Sequence, residues 1–97
     1  MPTLHIVRQS AFTSDDFKQC LQVTRINDII VFIDDGCYNL SHTLISTIDS
    51  KANISLNIIG KHAQARGIAI DETLYNTINM NDLVQLTLKT SRVITWQ

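Results

Sequence analysis

Two cysteines and a pair of aspartates are the residues of this 97-residue chain whose types could carry chemistry. Asp34, Asp35 and Gly36 follow an apolar run, and Cys37 comes directly after them. Paired carboxylates at such a position could hold Mg²⁺, as they do in phospho-receiver domains. A cysteine near a helix N-terminus could act as a thiolate nucleophile. Cys20 is the second thiol, and it lies in a segment of helical period.

The carboxylate pair lacks a group that a phospho-receiver site needs. Such a site uses a further acidic phospho-acceptor and a lysine at other strand ends. The ends of the first and third predicted strands offer Arg8, Gln9, Gly60 and Lys61, so the acceptor is missing. A solvated Asp-Asp-Gly turn that leads into a helix is therefore the favoured interpretation. The three histidines have no ligand spacing with the cysteines or with one another, and no metal or cofactor is expected.

Neither cysteine combines the exposure and the low pKa of a reactive thiol. The neighbouring carboxylates should hold the pKa of Cys37 up, and Tyr38, Asn39 and Leu40 after it form no glycine-rich cradle. Its position at a strand end predicts that Cys37 is the more exposed thiol. Cys20 shares an apolar helical face with Phe17, which is typical of a small buried hydrophobe. A structural role is favoured for both.

Strand and helix patterns alternate along the chain. Apolar runs predict strands at 4–7, 29–33, 54–59, 74–78 and 93–96. Between them lie a helix capped by Thr13 or Ser14, a helical face of Leu40, Leu44, Ile45 and Ile48, a short helix over 61–66 closed by Gly67, and a helix capped by Asn79 or Asn81. The 29–33 run is apolar on both faces, as in a central parallel strand. The sequence therefore predicts an α/β fold, a single three-layer α/β/α domain over 1–97 with a mostly parallel sheet of about five strands.

Composition and charge narrow the class of protein further. The chain is 44% apolar and 18% charged, as in ordinary globular proteins. Its net charge is −1 and its basic residues are scattered, so it lacks the basic stripe of a direct nucleic-acid surface. No apolar stretch approaches the roughly 20 residues of a membrane span, and the start has no secretion-signal pattern. We expect a cytoplasmic protein with reduced thiols and with neither membrane nor direct nucleic-acid contacts.

Four stretches, in this order, resemble the TusB/DsrH family. "LHIVRQSAF" is similar to the family's opening strand, and "VFIDDGCYNL" to its second strand and DG turn. "NIIGKHAQARGI" is similar to the third strand and the ARG segment after it. "NMNDLVQLTLKTSRVITWQ" is similar to the closing helix and a terminal strand that ends in tryptophan. The ordered set covers nearly the whole chain and is more specific than any one stretch.

The resemblance implies a subunit of a cytoplasmic heterohexamer built from two copies each of three related chains. The sister chains would be TusC/DsrF-like and TusD/DsrE-like, and the complex would relay persulfide sulfur from a TusA-like carrier to a TusE/DsrC-like one. In the Tus branch the sulfur ends at C2 of the wobble uridine of certain tRNAs. The DsrH branch serves sulfur oxidation instead. The principal persulfide cysteine belongs to the TusD/DsrE-like sister, which implies a non-catalytic, accessory role for this subunit of a sulfurtransferase complex.

The resemblance also separates the candidate residues. Cys20 falls where the DsrH branch carries a cysteine in its first helix, which makes it the candidate relay thiol. Cys37 stands where the family commonly has an apolar residue, so it is the weaker candidate. Trp96 is the candidate anchor of a subunit interface, since tryptophan is enriched at interface hot spots. A free-standing α/β binding or receiver-like domain that uses Asp34 and Asp35 is the alternative function.

Overall fold

A single parallel sheet of five strands organises the computed structural model, which describes residues 2–48 and 52–97. The strands are β1 (Thr3–Val7), β2 (Ile29–Phe32), β3 (Ser55–Ile59), β4 (Asn76–Ile78) and β5 (Arg92–Trp96). Their spatial order is β4-β3-β2-β1-β5, and every neighbouring pair is parallel. The two-sided apolar run at 29–33 supplies the central strand β2, as predicted.

Helices cover both faces of this sheet, and each face has its own apolar cluster. The helices are α1 (Asp16–Val23), α2 (Gly60–Ala65) and α3 (Met80–Lys89). On one face, α1 and the segment after β2 pack on strand residues in a cluster that includes Val7, Phe17, Cys20, Phe32, Cys37 and Ile58. On the other face, Leu83 of α3 packs with Leu4, Ile6, Val31 and Ile59. The predicted α/β class is confirmed.

The segment after β2 differs from the predicted α-helical face. It forms two 3₁₀ helices, Asp34–Ser41 and Thr43–Thr47. Extended backbone at His42 separates them, and its ring Nδ1 accepts the Leu44 N–H at 3.0 Å. Serine and threonine hydroxyls bond carbonyls three residues back, which offers the backbone an alternative to α-helical bonds. The tighter helix follows from this composition.

The helix ends follow local sequence signals, with one shift at α1. Asn79 caps α3 in a reciprocal capping box with Asp82, which decides between the two predicted caps. Gly67 ends α2 with φ +66°, and the N–H groups of 67 and 68 bond carbonyls of the last turn. At α1 the capping position is Asp15 rather than Ser14, although the Ser14 hydroxyl still accepts the first helical N–H at 3.1 Å.

Strand β4 is shorter than the predicted 74–78, because the N–H groups of Leu74 and Tyr75 both bond the Asp71 carbonyl in a turn. Across the ranges 2–48 and 52–97, no helix has the length and apolar content that crossing a bilayer requires.

Candidate functional site at the carboxyl ends of the strands

The carboxyl ends of β2, β1 and β5 bring three polar side chains to one edge of the sheet. Val7 lies beside Phe32 on one side and Trp96 on the other, so the residues that follow these positions emerge together. Arg8 donates from Nε to Asp34 Oδ2 at 3.1 Å and from Nη1 to Gln97 Oε1 at 2.7 Å. Ligand sites of parallel sheets gather at this edge.

Helix α2 and its C-cap residue add two more side chains to the same edge, His62 and Arg66, which lie four residues apart. The His62 Nδ1 accepts the backbone N–H of Asp34 at 3.0 Å. Arg66 donates from Nε to Asp35 Oδ1 at 3.0 Å. The carboxylates of Asp34 and Asp35 are therefore paired with different arginines and do not share one cation. No group of three His, Cys, Asp or Glu side chains within 2–48 and 52–97 is arranged to hold a metal ion.

Gly36 is the residue that lets this turn lie against β1. A Cβ atom at this position would lie 2.0 Å from the carbonyl oxygen of Val7 and 2.8 Å from its carbonyl carbon. These are backbone atoms that cannot rotate away, so only glycine fits. Asp34, two residues earlier, has φ +49°, in the left-handed region that few non-glycine residues adopt. Its N–H bond to His62 and its ion pair with Arg8 hold that conformation.

Cys37 is fully buried, so the predicted exposure of this thiol is wrong. The 3₁₀ helix turns the side chain into the core beside Phe32, whose carbonyl accepts from Sγ at 3.8 Å. Burial, more than the carboxylates of Asp34 and Asp35, raises its pKa to about 11, and the Arg66 guanidinium offsets only part of the rise. The sequence predicted the direction of this pKa but assigned it to the wrong main cause.

Cys20 is also fully buried, on the inner face of α1, where the helical pattern placed it. Burial raises its pKa to about 11. A contact between Sγ and the Thr24 hydroxyl, 3.7 Å apart, lowers the pKa slightly, and the nearby Asp28 charge raises it. Thiols in this state are poor nucleophiles, since the thiolate is the reactive form.

Asn39 is a structural residue of the site that sequence reasoning missed. Its side chain is fully buried, accepts the Ala11 N–H on Oδ1 at 2.7 Å and donates from Nδ2 to the Gln9 carbonyl at 3.0 Å. These bonds fix the loop after β1 against the 3₁₀ helix. No local signal distinguishes this asparagine from one in an exposed turn.

A second polar group lies at the amino ends of the strands, and sequence reasoning missed it too. Asp28 is buried before β2 and accepts the backbone N–H groups of Thr3 at 3.0 Å and Arg25 at 2.9 Å. Its Oδ2 also lies 3.0 Å from His5 Nε2. Burial alone would raise the pKa of Asp28, but these bonds outweigh it and the pKa lies below its ordinary value. Trp96, the predicted anchor, is half-buried and donates from Nε1 to His5 Nδ1 at 3.2 Å.

Comparison with known proteins agrees with the sequence resemblance. The crystal structure of the ychN protein from E. coli is similar, with a TM-score of 0.75 over 98% of this chain and 99% of that one. At 16% identity this likeness shows the fold alone. Among curated proteins, none matches the sequence. The family model described as "DsrH like protein" matches residues 9–93, which is most of the chain. The chain belongs to the DsrH-like family of sulfur-relay subunits.

Proposed function

We propose that this chain is the accessory, non-catalytic subunit of a TusBCD-type complex that supports 2-thiolation of the tRNA wobble uridine. The observation that carries the proposal is the burial of both thiols, each at 0% exposure with a pKa of about 11. A relay cysteine must attack a donor persulfide and then be attacked itself, so it needs an accessible thiolate. Neither Cys20 nor Cys37 meets that need.

The pKa values set the size of this handicap. Each pKa unit changes the thiolate fraction tenfold, so a rise from 9.0 to about 11 leaves roughly one-hundredth of the thiolate of an ordinary cysteine near neutral pH. Because both thiols are buried, a donor persulfide cannot reach them easily, which reduces the rate of sulfur transfer further. The low thiolate fraction supports our proposal that the principal persulfide cysteine belongs to a TusD/DsrE-like sister, with TusA-like and TusE/DsrC-like carriers as donor and acceptor.

The surface of α3 supports a role as a subunit. Met80, Val84 and Leu88 recur every fourth residue and are 50%, 52% and 74% exposed, so they form an apolar stripe on the outer face of the helix. Large exposed apolar stripes mark interaction surfaces. DsrH-like proteins work in complexes with DsrE- and DsrF-like partners, and a heterohexamer with two copies each of three chains is the assembly we propose.

The test is the 2-thiouridine content of total tRNA from cells in which this chain carries Cys20→Ser or Cys37→Ser. Both variants should assemble with the TusC- and TusD-like sisters and should leave the modification largely intact. If one shows a partial defect, we expect it in Cys20→Ser. The matched positive control replaces the persulfide cysteine of the TusD-like sister, which should abolish the modification. Loss of 2-thiouridine in Cys37→Ser, with the complex still assembled, contradicts the proposal.

A DsrH-type subunit of sulfur oxidation is the second candidate. It is favoured by the position of Cys20 in α1, where that branch carries a cysteine. Deleting the gene separates the two functions, because only the first predicts a fall in tRNA 2-thiouridine. Unchanged 2-thiouridine together with slower sulfur oxidation supports the second candidate and contradicts the first.

A further inference from the structure

Three side chains from distant parts of the chain form one hydrogen-bonded line on the sheet face that α1 covers. Trp96 of the edge strand β5 donates to Nδ1 of His5 in β1, and Nε2 of the same ring lies against Asp28. The indole and imidazole planes are inclined by 26°, with ring centroids 6.3 Å apart. His5 is 1% exposed, so both of its ring nitrogens meet protein groups rather than solvent.

The hydrogen bonds fix the protonation state of the imidazole. An indole N–H can only donate, so Nδ1 of His5 must be an acceptor without a proton. Its remaining ring proton is then on Nε2 and is donated to the Asp28 carboxylate. His5 is therefore neutral in this arrangement, as the Nε2–H tautomer.

A proton added at Nδ1 acts on the two bonds in opposite ways. At Nδ1 it leaves two N–H groups facing each other, so the Trp96 bond is lost. At Nε2 the same donor still faces Asp28, and the bond becomes charge-assisted and stronger. Asp28 remains a carboxylate during this change, because two backbone N–H bonds and His5 hold its pKa below the ordinary value. The charged ring is thus retained while the indole loses its partner.

The other charged groups around His5 leave this asymmetry in place. Arg25, from the loop after α1, and Arg92, of β5, line the same cavity of about 580 Å³ as His5, and both oppose an added positive charge on the ring. Cys20 of α1, the titratable thiol that senses the Asp28 charge, stays neutral with its pKa of about 11. Asp28 is the one anion in direct contact with the ring among the described residues.

The indole can move without unfolding the strand that carries it. Trp96 is half-buried in edge strand β5, and its carbonyl oxygen accepts the Arg8 N–H at 3.1 Å. Its main chain is paired with Val7 of β1. Loss of the Nε1 bond therefore frees the side chain and leaves the main-chain pairing intact.

We propose that His5 is a proton-operated latch for Trp96: protonation of the ring at Nδ1 releases the indole, while Asp28 holds the imidazolium inside the fold. The latch controls how an aromatic side chain at the sheet edge is presented to its surroundings. It is independent of the proposed sulfur relay.

Trp96 is the one tryptophan of the chain, so its own fluorescence reports the latch. The full chain is titrated from about pH 8 down to the onset of acid unfolding, which far-UV circular dichroism reports. We expect a reversible shift of the emission maximum to longer wavelength and a larger acrylamide quenching constant, with an unchanged far-UV circular dichroism spectrum. Both fluorescence readouts are needed, because an imidazolium can also quench an indole that has not moved.

The variants assign the transition to His5. His5→Gln keeps an amide oxygen for Trp96 and an amide N–H for Asp28 but cannot titrate, so its emission should not change with pH. His42→Gln, at a histidine that contacts Phe12 instead, is the matched control and should retain the wild-type transition. In the wild-type protein, the His5 ring and Trp96 indole N–H resonances should titrate with one midpoint, a result that needs no variant.

Three results overturn the latch. One is a wild-type emission maximum and quenching constant that stay flat across this range. Another is a transition that persists in His5→Gln or that follows a midpoint different from that of the His5 ring. The third is loss of circular dichroism together with the fluorescence change, since this means that the whole fold opens.

Discussion

Replacing Gly36 with alanine adds one methyl group and is expected to be strongly destabilising. The new Cβ would lie 2.0 Å from the Val7 carbonyl oxygen, far inside van der Waals contact. The same oxygen accepts the Ile33 N–H at 3.0 Å, so it joins the end of β1 to the residue after β2. The methyl group can be accommodated only if the turn moves away from β1 and this bond is lost.

The cost can be worked from these two effects. Overpacking of a well-packed interior costs about 1–3 kcal/mol, and a lost hydrogen bond of this kind about 1 kcal/mol. Together they predict a loss of about 2–4 kcal/mol in the free energy of unfolding, against a typical total of about 5–15 kcal/mol. With an m-value of about 1.5 kcal/mol/M, the urea midpoint should fall by roughly 1–3 M.

The other two glycines supply the controls in the same urea unfolding assay. A Cβ at Gly67 meets nothing within 4 Å, so Gly67→Ala should cost only its left-handed φ of +66°, about 1 kcal/mol. A Cβ at Gly60 would lie 2.7 Å from one Thr77 side-chain methyl, so that side chain must shift, and the gain in helix propensity offsets part of the cost. Gly60→Ala should cost less than Gly36→Ala, because a side chain can move where the Val7 backbone cannot. An unfolding midpoint of Gly36→Ala equal to that of Gly60→Ala would refute the steric reasoning.

Two further predictions concern the buried polar and thiol groups. Because burial raises the pKa values of Cys20 and Cys37 from 9.0 to about 11, unfolded thiols ionise first as the pH rises, and stability should fall between pH 9 and 11. In urea unfolding, the free energy of unfolding at pH 10 should be lower than at pH 8 by about 1.4 kcal/mol per thiol. Cys20→Ala should remove the part of this loss that Cys20 causes. A free energy of unfolding that stays level over this range contradicts the raised pKa values of the buried thiols. Asn39→Ala leaves the loop after β1 without two hydrogen bonds and should cost about 2–4 kcal/mol in the same assay. Exposed Asn81→Ala should stay within about 0.5 kcal/mol, and equal costs for the two variants contradict the proposed role of Asn39.

The features that the sequence predicted correctly have local physical causes. An apolar run with no polar face must be covered on both sides, which makes 29–33 a central strand of a parallel sheet. Asn79 with Asp82 three residues later can satisfy helix N–H groups reciprocally, and Gly67 can adopt the left-handed backbone that ends a helix. Each of these signals acts within a few residues, so no tertiary information is needed to recognise it.

The errors at the candidate site have tertiary causes. The position of Cys37 at a strand end predicts that it is the more exposed thiol, but the close contact of Gly36 with Val7 seats the Asp-Asp-Gly turn against β1 and directs the thiol inward. A pairwise contact across 29 residues leaves no trace in a local pattern. The line from Asp28 through His5 to Trp96 joins residues 23 and 91 positions apart. Its one local sign was a histidine inside an otherwise apolar strand.

The charged pairs at the carboxyl ends of the strands bear on how a subunit of this family could meet a partner. At the carboxyl ends, the pair of Arg8 and Asp34 is 44% and 40% exposed, and such surface pairs are worth about 0–1 kcal/mol each. A partner that brings its own charges to this edge can exchange the pairing at little cost. The thiol of Cys37 is fully buried, and a partner could reach it only by displacing the turn that Gly36 seats against Val7. Contact at this edge is therefore easy and chemistry at Cys37 is not, which agrees with the proposed accessory role.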